Sequence, residues 1–195
     1  MSATVTMERI AEVSPRFKAR MAGVLYLLSV LTATFTELFA RGRLNIAGGL
    51  IAVAGMVGVT LLVYGLFKPT NRSLALLAAF FGLVGLTFEA VRWQPHGMNI
   101  AIVFAGFYCF LIGCLIFRSN FLPHFLGVLM AFAGLGWITY LSSRLVNYLS
   151  PYNLAASFLA EVFVFLWLLV MGVNGQRWKD QASAAAVREP LPQTW

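Results

Sequence analysis

Charge is what this sequence has least of. Only 11% of its 195 residues are Lys, Arg, Asp or Glu, whereas 60% are hydrophobic and the mean hydropathy is +0.81. A soluble domain carries about 25% charged residues, because its surface must stay wet. The deficit excludes a soluble enzyme, a secreted scaffold, a disordered chain and a soluble nucleic-acid binder. Cysteine is nearly absent too. Cys109 and Cys114 lie in one apolar run and project from different helix faces, so neither a disulfide framework nor a thiolate metal site follows. The histidines, His96 and His124, lie on opposite sides of the membrane, which leaves no two-histidine metal site. The sequence has no Gly-rich phosphate loop, P-loop lysine or His-Glu-x-x-His pattern, and it implies no cofactor. No apolar run has the broken acidic centre of a transporter or the sequence of a selectivity filter. Ten-residue alternating strands are missing, so helices remain as the spanning structure.

What is present is a series of six long apolar runs: Met21–Ala40, Leu44–Phe67, Ser73–Val91, Met98–Phe117, Leu122–Leu141 (extending as far as Leu149) and Asn153–Val173. A helical span needs about 20 apolar residues. Six such spans in an all-α bundle with short joints make neighbours antiparallel, and proline enters a run only at Pro123, in a first turn. Orientation follows the basic residues. With the N-terminus inside, ten Lys/Arg lie inside and four outside, namely Arg41, Arg43, Arg92 and Arg144. Both termini are therefore expected in the cytoplasm. The first twenty residues are mixed and charged and do not read as a secretory leader. The expected division is a cytoplasmic segment over 1–19, a six-helix transmembrane domain over 20–173 and a cytoplasmic tail over 174–195. The tail's Ala/Pro-rich composition predicts disorder. The net charge of +7 then reflects topology and contact with membrane lipids rather than nucleic acid.

Inside a membrane the ionisable side chain is the informative one, since it costs about 2.5–3.5 kcal/mol at a helix centre. Glu37, Glu89 and Glu161 fall within runs, all in the outer half. Glu37 with Arg41 and Glu89 with Arg92 are spaced to share a helix face and neutralise each other near headgroups; otherwise they line a pocket mouth. Glu161 has no basic residue within four positions on its own helix. It must face the interior, and Arg144 is the expected partner if the fifth helix continues to Leu149. Ser157, one turn away, is placed to hydrogen-bond it, and Trp137 and Tyr140 belong to the same polar-aromatic stretch. A structural pair, a ligand site and a proton relay are all open readings of Glu161. Small residues at four-residue spacing, such as Ala78 with Gly82, point to close helix packing.

Several strings together resemble a known family. They are Arg20–Leu28 at the first span, Lys68–Phe81 across the first inside hairpin, Phe117–Leu129 across the second, and Glu161 within Leu159–Gly172. Their content and order are similar to the bacterial membrane family catalogued as domain of unknown function 4386. The resemblance implies a multi-span bacterial inner-membrane protein and supplies no activity, substrate or catalytic residue. It also implies a longer outer segment between the first two spans, which this chain shortens to Arg41-Gly42-Arg43. The functional expectation is a non-enzymatic one: binding of a small amphiphile, lipid or membrane-protein partner in an outer-half cleft near Glu161 and Arg144. The alternative is a proton-coupled small-molecule carrier with Glu161 as its protonatable group. An intramembrane enzyme ranks third, because no nucleophile–base set is visible.

Overall fold

The structure, a computed structural model, describes residues 14–93 and 99–188. Residues 1–13 and 189–195 and the joint residue His96 lie outside the described residues. Six helices are long and apolar enough to cross a membrane, as the run lengths predict. Helix α1 (Pro15–Phe39) starts six residues before its apolar run. Capping rather than hydropathy sets that start: the Ser14 side chain accepts from the Phe17 amide at 3.2 Å, and Pro15 occupies the first turn. The helix ends at Phe39, where Ala40 turns extended and Gly42 adopts φ +60°, a conformation that costs glycine little. Helix α2 (Arg43–Phe67) follows at once. Asn71 caps α3 (Arg72–Ala90) by accepting from the Leu74 amide at 2.9 Å, and Asn99 caps α4 (Ile100–Arg118).

Helix α5 (His124–Ile138) tightens into a 3-10 turn over Thr139–Leu141 and stops at Ser142. A short α6 (Ser143–Leu149), then α7 (Tyr152–Val170) and α8 (Gly175–Arg188) complete the chain. The fifth helix therefore does not continue to Leu149. Thr139 Oγ1 donates to the Gly136 carbonyl at 2.6 Å and accepts from Asn153 Nδ2 at 3.0 Å. Those bonds tie the tightened turn to the start of α7, and Ser142 adopts an extended conformation.

Each span packs on its sequence neighbours, and α7 closes the bundle by lying against both α5 and α1. The α4–α5 pair sets the closest approach. A Cβ on Gly113 would sit 2.6 Å from the Ala131 amide nitrogen, and one on Gly134 would sit 2.5 Å from that of Phe110. Gly106 and Gly127 lie in the same seam, so the glycines repeat every seven residues on both helices, a period that keeps one antiparallel seam in register. Half of the α4 span is enclosed, against 22–33% of the others, so α4 lies deepest. Tyr26 stacks on Phe165 at 4.0 Å between α1 and α7, and Cys109, Met130 and Val164 fill the space between the helices. Outward faces carry large apolar side chains such as Leu31, Phe80, Phe132 and Leu159, as a lipid-facing surface requires.

The tail is corrected. Residues 175–188 form a helix rather than a disordered segment, because one aromatic side chain docks it. Trp178 is buried and its indole N–H donates to the Leu66 carbonyl at the end of α2, at 2.8 Å. Lys18 lies over the same ring, 5.8 Å from its centre. The Asn174 amide donates to the Phe121 carbonyl, and Gln181 and Arg177 bond the Arg118–Asn120 joint. The face carrying α8 and the α2–α3 and α4–α5 joints is the terminal face below; its opposite is the far face.

Candidate functional site

Glu161 projects from α7 about 13 Å beyond the start of that helix, at 1.5 Å per residue. It is half-buried. Its carboxylate accepts from the Trp137 indole at 3.2 Å, across the α5–α7 interface. The Cys109 thiol of α4 lies beside the same carboxyl. Three helices thus converge on one acid, and the donors they offer are neutral. Tyr26 and Tyr108 complete the polar interior. The Tyr108 hydroxyl is buried without a hydrogen-bond partner among the described residues, and Tyr108 packs on Gly82 beside Thr60. Thr60 spends its own hydroxyl on the Met56 carbonyl.

Trp137 is the one candidate partner that the structure brings to Glu161. Arg144 is not brought there. With α5 ended at Ile138, Arg144 belongs to α6, where it is exposed, and no ion pair with Glu161 forms among the described residues. Tyr140 is half-buried and packs against Trp137 with ring centres 6.0 Å apart. Ser157 is buried, but among the described residues its hydroxyl has no hydrogen-bond partner and presses on the Gly136 backbone instead. Cys109 is the residue that sequence reasoning missed. Its signal was present, a lone thiol in an apolar run, but which helix face meets α7 is a tertiary fact.

The other two expected pairs do not form either, and the reason is backbone. Arg41 lies beyond the end of α1, so the four-residue spacing from Glu37 no longer shares a face. Arg92 follows α3 in a left-handed conformation with φ 50°, which turns it away from Glu89. Both Glu37 and Arg92 go to Asn45 instead. Asn45 Nδ2 donates to the Thr36 carbonyl at 3.0 Å and to the Glu37 carboxylate at 3.2 Å, while the Arg92 guanidinium donates to Asn45 Oδ1. One amide therefore clamps α1, α2 and the end of α3 at the far face. Glu89 is exposed. Among the described residues no group of three His, Cys, Asp or Glu side chains could hold a metal ion.

No solved structure matches this chain. An uncharacterized protein of the archaeon Archaeoglobus fulgidus is 25% identical over 153 residues, which cover 74% of this chain and 94% of the relative. The strings at the first span and the first hairpin precede the part that matches a family. Residues 86–172, from the last turn of α3 through α7 and including both Trp137 and Glu161, match the family described as Domain of unknown function (DUF4386).

Proposed function

We propose that this multi-pass membrane protein binds a small amphiphile or lipid in the far-face half of the bundle, with Glu161 as the polar anchor. The observation that supports this reading is the company of the carboxylate. It lies within a span, is partly buried, and among the described residues meets the neutral Trp137 indole, with the Cys109 thiol beside it. An acid kept at that depth without a cation is costly as packing alone, and a ligand bearing an amine or hydroxyl headgroup would complete it. Arg144 then sits at the rim on α6 rather than at the anchor. Ten of the fourteen basic residues favour both termini in the cytoplasm, and the family resemblance implies a bacterial inner membrane.

The experiment is mass spectrometry of the intact protein after gentle detergent extraction, with the Glu161→Gln variant alongside. The expected result is a co-purified amphiphile that the variant loses. An equal load in both forms would overturn the anchor. The second reading, a proton-coupled carrier, rests on the same carboxyl. Flux into proteoliposomes that follows a pH gradient and disappears in Glu161→Gln would replace binding with transport.

A further inference from the structure

A second feature lies at the terminal face, well apart from Glu161. The ends of the spans and the overlying α8 enclose an open basin of about 1760 Å³. Among the described residues its walls carry Arg16, Lys18, Lys68, Arg72 and Arg177 together with the carboxylate of Asp180, which accepts from Gln176. The cations come from four separate places: the start of α1, the α2–α3 joint, the start of α3, and α8. Chain folding, not local sequence, gathers them. Helices α1, α3 and α5 open on the basin at their N-terminal ends, where backbone N–H groups and the helix dipole favour an anion, while α8 lies along it and α2 and α7 meet it at their C-terminal ends. The lining also includes Thr70, whose hydroxyl is buried without a hydrogen-bond partner among the described residues.

The rim decides between a soluble and a membrane anion. Trp167 of α7 and Met171, which caps that helix, line the same basin, and Met171 is 61% exposed on the apolar flank of the bundle. The cavity therefore passes from a cationic floor to a lipid-facing wall. From this we infer that the basin is a headgroup site for an anionic phospholipid, with the phosphate among the five cations and the acyl chains along the Trp167–Met171 edge.

The test uses the full chain in nanodiscs of phosphatidylcholine with one-fifth phosphatidylglycerol, released into the mass spectrometer to count retained lipids. Phosphatidylglycerol is expected to be retained at least tenfold above its share of the bilayer. Each of Lys68→Gln and Arg177→Gln should lower that enrichment about fivefold, the effect of one basic residue at an anionic surface. Thr70→Val, which leaves the charge unchanged, should lower it by about threefold through the lost hydroxyl donor. The control removes the same charge from the far face: Arg41→Gln and Arg43→Gln should leave the enrichment intact. If the far-face variants reduce it as much as the basin variants, net charge and not the basin selects the lipid, and the site is refuted. If 10 mM inorganic phosphate displaces the lipid and protects the protein from heat equally well, the basin takes a soluble anion and the lipid assignment falls.

Discussion

At the scale of single residues, a few polar side chains join helices. Trp137 and Glu161 do so in the interior. Interhelical hydrogen bonds in membranes contribute about 0.6 kcal/mol on average and up to about 1.7 kcal/mol. Trp137→Phe should therefore lower unfolding stability in a detergent titration by about 1 kcal/mol. Glu161→Gln keeps an oxygen to accept from the indole, so its cost should be smaller than that of Glu161→Leu, and the same titration compares them. Asn45 is the far-face counterpart. Asn45→Ala removes its bonds to Thr36, Glu37 and Arg92 together and should destabilise by about 1–2 kcal/mol. Arg92 adds a backbone contribution, because its φ of 50° is unfavourable for any residue with a Cβ. Arg92→Ala and Arg92→Gly both lose the guanidinium, yet the glycine variant should be the more stable by about 1 kcal/mol. Equal stabilities would mean that the turn relaxes out of the left-handed region.

At the scale of elements, apolar length was readable and helix rotation was not. The six spans were legible because hydrocarbon thickness sets their length, and the observed ends differ from the apolar runs mainly where a cap intervenes, as Ser14 does for α1. The break after Ile138 was hidden, since Thr139-Tyr140-Leu141 is apolar enough to extend a helix and only the Thr139–Asn153 bond reveals why it stops. That single break removed Arg144 from Glu161. Helix α8 was hidden for the opposite reason: its composition resembles a solvated tail, and one tertiary contact of Trp178 holds it. The seven-residue glycine repeat of α4 and α5 was visible as letters but not as an interface. Its weight can be measured. Gly134→Ala forces a methyl group to within 2.5 Å of backbone and should cost at least about 2 kcal/mol, because neither helix can retreat without losing the seam. Gly65→Ala meets nothing within 4 Å and should stabilise α2 by up to about 1 kcal/mol through helix propensity. Thermal unfolding of the two purified variants reads the contrast directly.

At the scale of the whole molecule, the two faces differ in how they use charge. The far face joins Glu37 and Arg92 through one amide, so those two opposite charges share a clamp. The terminal face gathers cations from four parts of the chain around a basin that holds one acid among the described residues. This asymmetry bears on insertion, because Lys and Arg near span ends resist translocation while Asp and Glu contribute little. Six spans put the two described ends, Ser14 and the α8 segment, on one face, so a single orientation decides where both lie. Lys179 on α8 and Arg43 at the start of α2 are both exposed and on opposite faces, which makes them suitable reporters. In a background with Cys109→Ala and Cys114→Ala, Arg43→Cys should react with a membrane-impermeant maleimide in intact spheroplasts. Lys179→Cys should react only in inverted vesicles. The substitution at Lys179 leaves the five basin cations in place, so the bias that it reports is preserved. The reverse pattern would put the basin outside and overturn the orientation, while labelling of both positions from both sides would mean that the basic residues do not fix a single topology.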